Sequence, residues 1–124
     1  MLHDEPLTGE IIGAAIEVHR VLGPGLLESA YEQCICHELA LRNISFRRQV
    51  ELPVSFKEVR LECGYRIDLV VNERVIIELK CVDDVHELHK AQLLTYLKLS
   101  RLKVGMILNF NVSLMKDGIV RMVL

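Results

Sequence analysis

Three ionisable residues stand where a folding chain has least use for them. Glu78 and Lys80 lie two apart in the apolar run Val75-Ile76-Ile77-Glu78-Leu79-Lys80. On a β-strand both therefore leave the same face, while Ile77 and Leu79 leave the other. Asp68 interrupts a second aliphatic run, Ile67-Asp68-Leu69-Val70-Val71. Burying a charge is costly unless it is paired or binds something charged. One reading is a private Glu78–Lys80 ion pair in a packed core. The other is a site: Asp68 and Glu78, with a backbone carbonyl such as that of Leu79, are hard oxygen ligands suited to Mg²⁺ or Mn²⁺. Lys80 would then position or polarise an attacking water and offset charge developing on a phosphate. That layout suits phosphodiester cleavage.

The two readings differ in register. A two-residue loop at Asn72-Glu73 pairs Val71 with Arg74 and sets Asp68 opposite Ile77, on the face away from Glu78. A three-residue loop, Asn72-Glu73-Arg74, or one bulged residue sets Asp68 opposite Glu78. The metal site requires the second arrangement; the ion pair requires neither.

Periodicity supplies the elements that would hold these residues. Thr8 can cap a helix running to about Leu22, with Ile11, Ile12, Ala15, Ile16 and His19 on one side. Gly23-Pro24-Gly25 ends it. A second helix, about Leu26 to Leu41, carries the stripe Leu27, Ala30, Tyr31, Cys34, Ile35 and Leu39, with Glu28, Glu32 and Glu38 outside it. An amphipathic strand follows over Phe46 to Phe56, with Pro53 marking an edge or bulge and Lys57-Glu58 the turn. Two β-rich runs, about Val59 to Val71 and Arg74 to Val82, precede a third helix, about Val85 to Ser100, which Asp83-Asp84 can cap. Strands over Lys103–Phe110 and Ile119–Leu124 complete a single α/β domain over residues 1–124, with a mixed sheet flanked by helices.

Composition agrees with a packed core: 51% of the 124 residues are hydrophobic, with no tryptophan. The net charge of −2 divides unevenly, seven acids against one base in residues 1–41 and ten against fourteen in 42–124. A weak positive excess of that kind is ordinarily solvated surface, although a polyanion partner needs only one positive face. No apolar run approaches a membrane span, and the start of the chain lacks a signal-peptide pattern, so the expected location is cytoplasmic. Cys34, Cys36, Cys63 and Cys81 form no CxxC pair and read as buried thiols. His86 and His89 have no completing metal cluster. Nucleophile-elbow, phosphate-loop and dinucleotide fingerprints are absent.

Asp68 followed by Glu78-Leu79-Lys80 after a hairpin resembles the acid and acid-x-lysine signature of the PD-(D/E)XK nuclease superfamily, with Ile67 in place of the signature proline. Gly25-Leu26-Leu27-Glu28-Ser29-Ala30-Tyr31 is similar to the motif that names the GxxExxY proteins, a group placed in that superfamily. His19 to Gly25, Ala91 to Leu97 and Gly105 to Phe110 resemble the same group, so the likeness covers most of residues 8–112. It implies a restriction-endonuclease-like core, α-β-β-β-α-β, with an extra N-terminal helix and a C-terminal strand. It also implies a metal-dependent nuclease acting on DNA or RNA with Mg²⁺, or Mn²⁺ in its place, or else a nuclease-fold module that binds nucleic acid or protein without cleaving.

By this resemblance Glu28 joins Asp68, Glu78 and the Leu79 carbonyl around the metal, whereas on its own Glu28 reads as an acid at a helix start. Gln92 and Tyr96 share a helix face, and resemble the Gln-x-x-x-Tyr element of nuclease domains in bacterial recombination helicases, where the glutamine supports the site and contacts nucleic acid. Tyr31 reads as a partly buried aromatic whose hydroxyl touches the site rim. His19, first of all a core histidine, is carried with them as a group that could support the site or meet nucleic acid. A domain this small would use a second copy, or another protein partner, to contact enough duplex.

Overall fold

The computed structural model describes residues 5–62 and 64–124. Cys63 and the first four residues lie outside the described residues, together with the readings placed on them.

Helices α1 (Glu5–Leu22) and α2 (Glu28–Leu41) are followed by strands β1 (Phe46–Glu51), β2 (Val54–Phe56), β3 (Val59–Leu61), β4 (Arg66–Val71) and β5 (Val75–Lys80). Helix α3 (Glu87–Ser100), strand β6 (Val104–Asn109), a 3-10 turn (Met115–Gly118) and strand β7 (Ile119–Val123) complete the chain. Five strands form a mixed sheet in the order β1-β4-β5-β6-β7. Among the described strands only β5 and β6 are paired in parallel, because α3 carries the chain back across the sheet between them. No described helix is long and apolar enough to cross a membrane.

The two faces carry two cores. Val75, Ile77 and Leu79 pack with Ile11, Ala15, Ile35 and Leu39 from α1 and α2. Ile76, Val70 and Ile107 pack with Leu93, Tyr96 and Leu97 from α3. Gly105 lets α3 come close: a Cβ there would meet the Leu93 side chain at 2.7 Å. The α/β expectation, with a helix layer on each face of a mixed sheet, is what the structure shows.

Four local expectations change. Helix α1 begins at Glu5, so Thr8 is a buried interior residue rather than a cap, and Ile16 lies exposed, outside the buried stripe. Leu27 is 77% exposed, while Glu32, expected outside the α2 stripe, is buried. Helix α3 begins at Glu87 with His86 as its N-cap, two residues beyond Asp84. The stretch Phe46–Phe56 breaks at Leu52-Pro53, and the run from Val59 to Val71 divides as well. Between the breaks β2 and β3 leave the main sheet as a separate hairpin, turned by Lys57 and Glu58, both at positive φ. That hairpin leans over α3, where Val54, Leu61 and Tyr65 line a groove with Gln92 and Tyr96.

Candidate active site

The β4–β5 connection decides whether the two acids meet. Arg74 N–H donates to the Val71 carbonyl at 3.0 Å across Asn72 and Glu73, both left-handed. Pairing resumes one residue later, with Val71 opposite Val75 and Leu69 opposite Ile77. Arg74 is thus the extra residue, and the register carries Asp68 to Glu78, as the metal reading requires.

There the backbone ladder stops and side chains take its place. Asp68 N–H donates to Glu78 Oε2 at 2.9 Å, and Leu79 N–H donates to Asp68 Oδ2 at 2.8 Å. Face alternation slips at the same point: Ile67 packs in the α3 core, whereas Leu69 packs in the core beneath α1 and α2. The two strands therefore fork, with one carboxylate on each prong, each held by the other prong's backbone.

Burial dominates the electrostatics of the fork. Glu78 is 5% exposed, and its carboxyl is pushed up to about 8, chiefly by burial and then by the charge of Asp68. Asp68 is raised in the same direction by burial, against the pull of the Leu79 N–H. Lys80 favours the ionised form of both carboxyls through its charge. Among the described residues, however, no lysine or arginine makes an ion pair or hydrogen bond with either carboxylate. The private Glu78–Lys80 ion pair is not formed, and burial of the two carboxyls is met by a retained proton rather than by a bonded lysine or arginine among the described residues.

Helix α2 adds acids beside the fork. The Glu28 carboxyl is raised by burial and by the neighbouring charges of Asp68 and Glu32, and lowered by Lys80, which places it within electrostatic reach of the site. Gly25, at φ +108°, turns the chain into α2. The hydroxyl of Tyr31 donates to the Gly23 carbonyl and accepts from Leu26 N–H at 3.2 Å, while its ring stacks on Phe110 at 4.4 Å. Tyr31 is fully buried and clasps the turn that precedes Glu28. Its hydroxyl bonds that turn rather than the rim of the fork. His19 lies apart from the carboxylates, with Nε2 at 2.8 Å from the Val112 carbonyl.

Two residues at the site were missed by periodicity. Glu32, 8% exposed, accepts from Arg48 Nη2 at 2.8 Å and from Gln49 Nε2 at 2.6 Å. The same Gln49 amide lies 3.4 Å from Asp68 Oδ1. Gln49 adopts φ +49° within β1, in a backbone region that is uncommon for a non-glycine residue and is maintained only where its surroundings fix it. Its place in the β1–β4 register, between the pairs Arg48–Leu69 and Val50–Ile67, is opposite Asp68. A glutamine followed by valine in an amphipathic strand carries no signal of this; an acid one turn after Glu28 was the available hint.

On the other face, α3 brings Gln92 and Tyr96 into one groove. The Tyr96 phenol is raised by burial first and then by the charge of Glu78, with smaller contributions from Tyr65 and Asp68, and Tyr96 packs in one core with Ile67 and Ile76, from the two strands of the fork. His86 and His89 serve the helix start, the His86 N–H donating to His89 Nδ1 at 3.0 Å.

Among the described residues, no three His, Cys, Asp or Glu side chains are gathered closely enough to cage a metal ion. Two neighbouring carboxyls without a bonded lysine or arginine nonetheless fit a divalent cation of the Mg²⁺ type, which keeps several waters and uses one or two carboxylates together with substrate phosphate. Gln49 and Leu79 N–H already orient Asp68 for that role.

No curated protein and no solved structure matches the chain. A family model described as the PD-(D/E)XK nuclease superfamily matches residues 5–122. That span contains the fork, the lysine beyond it and the helices on both faces, and the chain belongs to the PD-(D/E)XK nuclease superfamily.

Proposed function

We propose that the protein is a metal-dependent nuclease that hydrolyses phosphodiester bonds in nucleic acid, with Mg²⁺ as the working ion and Mn²⁺ able to replace it. The observation that carries this reading is the fork: two neighbouring carboxyls raised by burial, bonded to backbone N–H groups and, among the described residues, without a bonded lysine or arginine. Nucleases of this superfamily typically use divalent metals. Asp68 and Glu78 would hold the ion with the Leu79 carbonyl as a further oxygen donor, and Glu28, too far for the three side chains to form a cage, would act on it through a water. When bound, the ion supplies charge neutralisation at the phosphate and activation of water.

The chain's own groups do the rest. Lys80, half-buried at the end of β5 and free of any bonded carboxylate among the described residues, orients the attacking water and offsets charge on the phosphate oxygens. Gln49 fixes the rotation of Asp68, and Glu32, tied by Arg48, fixes Gln49. Within the superfamily, the turn at Gly25, the clasp by Tyr31 and the placement of Glu28 between them support membership of the GxxExxY group.

The test is cleavage of labelled DNA and RNA by protein free of contaminating nuclease, with Mg²⁺ or Mn²⁺ and with chelator. Metal-dependent cleavage that falls at least about a hundredfold in Lys80→Ala and in Asp68→Asn is expected. Cleavage unchanged by both substitutions would overturn the mechanism. Metal-independent nucleic-acid binding without cleavage would make the protein a binding module instead.

A further inference from the structure

The groove between the β2–β3 hairpin and α3 holds about 340 Å³ and is lined by Val54, Leu61, Tyr65, Gln92, Thr95, Tyr96 and Leu99. Its walls are largely aliphatic and aromatic, and of its polar groups the Thr95 hydroxyl bonds back to the Ala91 carbonyl at 3.0 Å. Tyr96 is 5% exposed, yet its hydroxyl has no hydrogen-bond partner among the described residues, nor has the Gln92 side-chain amide. A buried phenol without a partner is an exception that asks for a ligand. Apolar walls with a few convergent, unsatisfied polar groups are the make-up of a small-molecule site.

The groove's place in the fold says what that ligand is. Tyr96 packs in one core with Ile67, the residue before Asp68, and with Ile76, two before Glu78, and it feels the charge of both acids, so the groove lies on the side of the sheet that adjoins the fork. Tyr65, three residues before Asp68, is 43% exposed and lies 6.4 Å from Tyr96 with the rings inclined at 63°, so the two rings do not stack on each other and much of Tyr65 faces solvent. A flat heteroaromatic ring can stack on Tyr65 and bond its edge to Gln92 and Tyr96, whereas in a paired duplex the base faces and Watson–Crick edges are occupied. The hairpin extends the track outward. Phe56 pairs with Val59 beyond the Val54–Leu61 pair; both are largely exposed, and Lys57 Nζ lies 5.3 Å over the Phe56 ring.

We infer that this groove binds an unpaired nucleobase adjoining the scissile phosphate, which makes single-stranded nucleic acid the substrate class. The inference rests on the nuclease reading for the identity of the polymer, but its test does not depend on cleavage. With no tryptophan and three tyrosines in the chain, two of them in the groove, intrinsic tyrosine fluorescence reports occupancy directly.

The experiment titrates the full chain, in chelator, with a short oligothymidylate and with a duplex of equal length. It follows tyrosine emission and the anisotropy of labelled DNA for the native sequence, Tyr65→Ala, Tyr65→Phe and Tyr96→Phe. Expected are tyrosine quenching by the single strand and tighter binding of it than of the duplex. Affinity should fall about 5- to 150-fold in Tyr65→Ala, recover in Tyr65→Phe, and fall about 2- to 12-fold in Tyr96→Phe. Because Tyr65 is exposed, its loss leaves the fold intact, which circular dichroism checks. Equal affinity of Tyr65→Ala and native protein, or tighter binding of duplex without tyrosine quenching, overturns the inference even if cleavage is observed. Tyr65-dependent single-strand binding without metal-dependent cleavage upholds the groove and defeats the nuclease reading.

Discussion

Replacing Glu78 with glutamine should make the metal-free protein more stable at pH 8 while leaving it nearly unchanged at pH 4. The folded protein raises this carboxyl from 4.5 to about 8, so the native state holds the proton more tightly than the unfolded chain. Between roughly pH 4.5 and 8 unfolding therefore releases a proton, and stability falls as pH rises through that window. Full expression of the shift corresponds to a ceiling of roughly 5 kcal/mol. Water entering the fork reduces the expected loss to a few kcal/mol. Glutamine keeps the oxygen that accepts the Asp68 N–H but carries no charge, so its stability should fall less steeply across the window, the remaining slope coming from the raised Asp68 and Glu28 carboxyls. Urea unfolding in chelator at half-unit steps from pH 4 to 9 measures the difference. A native protein that gains stability relative to Glu78→Gln between pH 5 and 8 would refute the reasoning, since the carboxylate would then be held by a cation rather than desolvated.

The site's other supports give separable outcomes. Gln49→Gly relieves the strained positive φ but also removes the amide that bonds buried Glu32 at 2.6 Å, so it should cost less stability than Gln49→Ala, which loses the same amide and keeps the strain; cleavage should fall in both because Asp68 loses its orienting amide, and thermal unfolding with a cleavage assay on one preparation checks both signs. Glu32→Ala leaves Arg48 and Gln49 without their shared acceptor and should cost about 1–3 kcal/mol in urea unfolding. Tyr31→Phe releases the clasp on Gly23 and should cost about 1 kcal/mol, with faster amide exchange at Leu26 as its local signature.

Much of the fold was legible because strand and helix periods are unambiguous where burial is complete. The strand β5 is buried along nearly its whole length, as its uninterrupted apolar run implied, and the loop-length argument identified the register that brings Asp68 to Glu78. Legibility failed where tertiary contacts override local pattern. Glu32 looks solvated in an amphipathic helix, and only the approach of Arg48 and Gln49 from β1 makes it a buried acceptor. Nothing in Phe46–Phe56 shows that β2 leaves the sheet, because a strand reads alike whichever partner it takes; Pro53 marked only the break. Tyr31 and His19 were drawn toward the site by their chemistry, whereas their partners are the Gly23 and Val112 carbonyls.

The central claim, that Asp68 and Glu78 form a divalent-cation site, is tested most directly by counting protons. Since burial raises the Glu78 carboxyl to about 8, seating a cation there at neutral pH should displace a proton from the pair. Titrating Mn²⁺ into the protein by calorimetry at pH 7, in two buffers of different ionisation enthalpy, should show saturable binding with release of close to one proton, both abolished in Asp68→Asn. Binding without proton release, or binding that survives Asp68→Asn undiminished, would place the ion elsewhere and contradict the account.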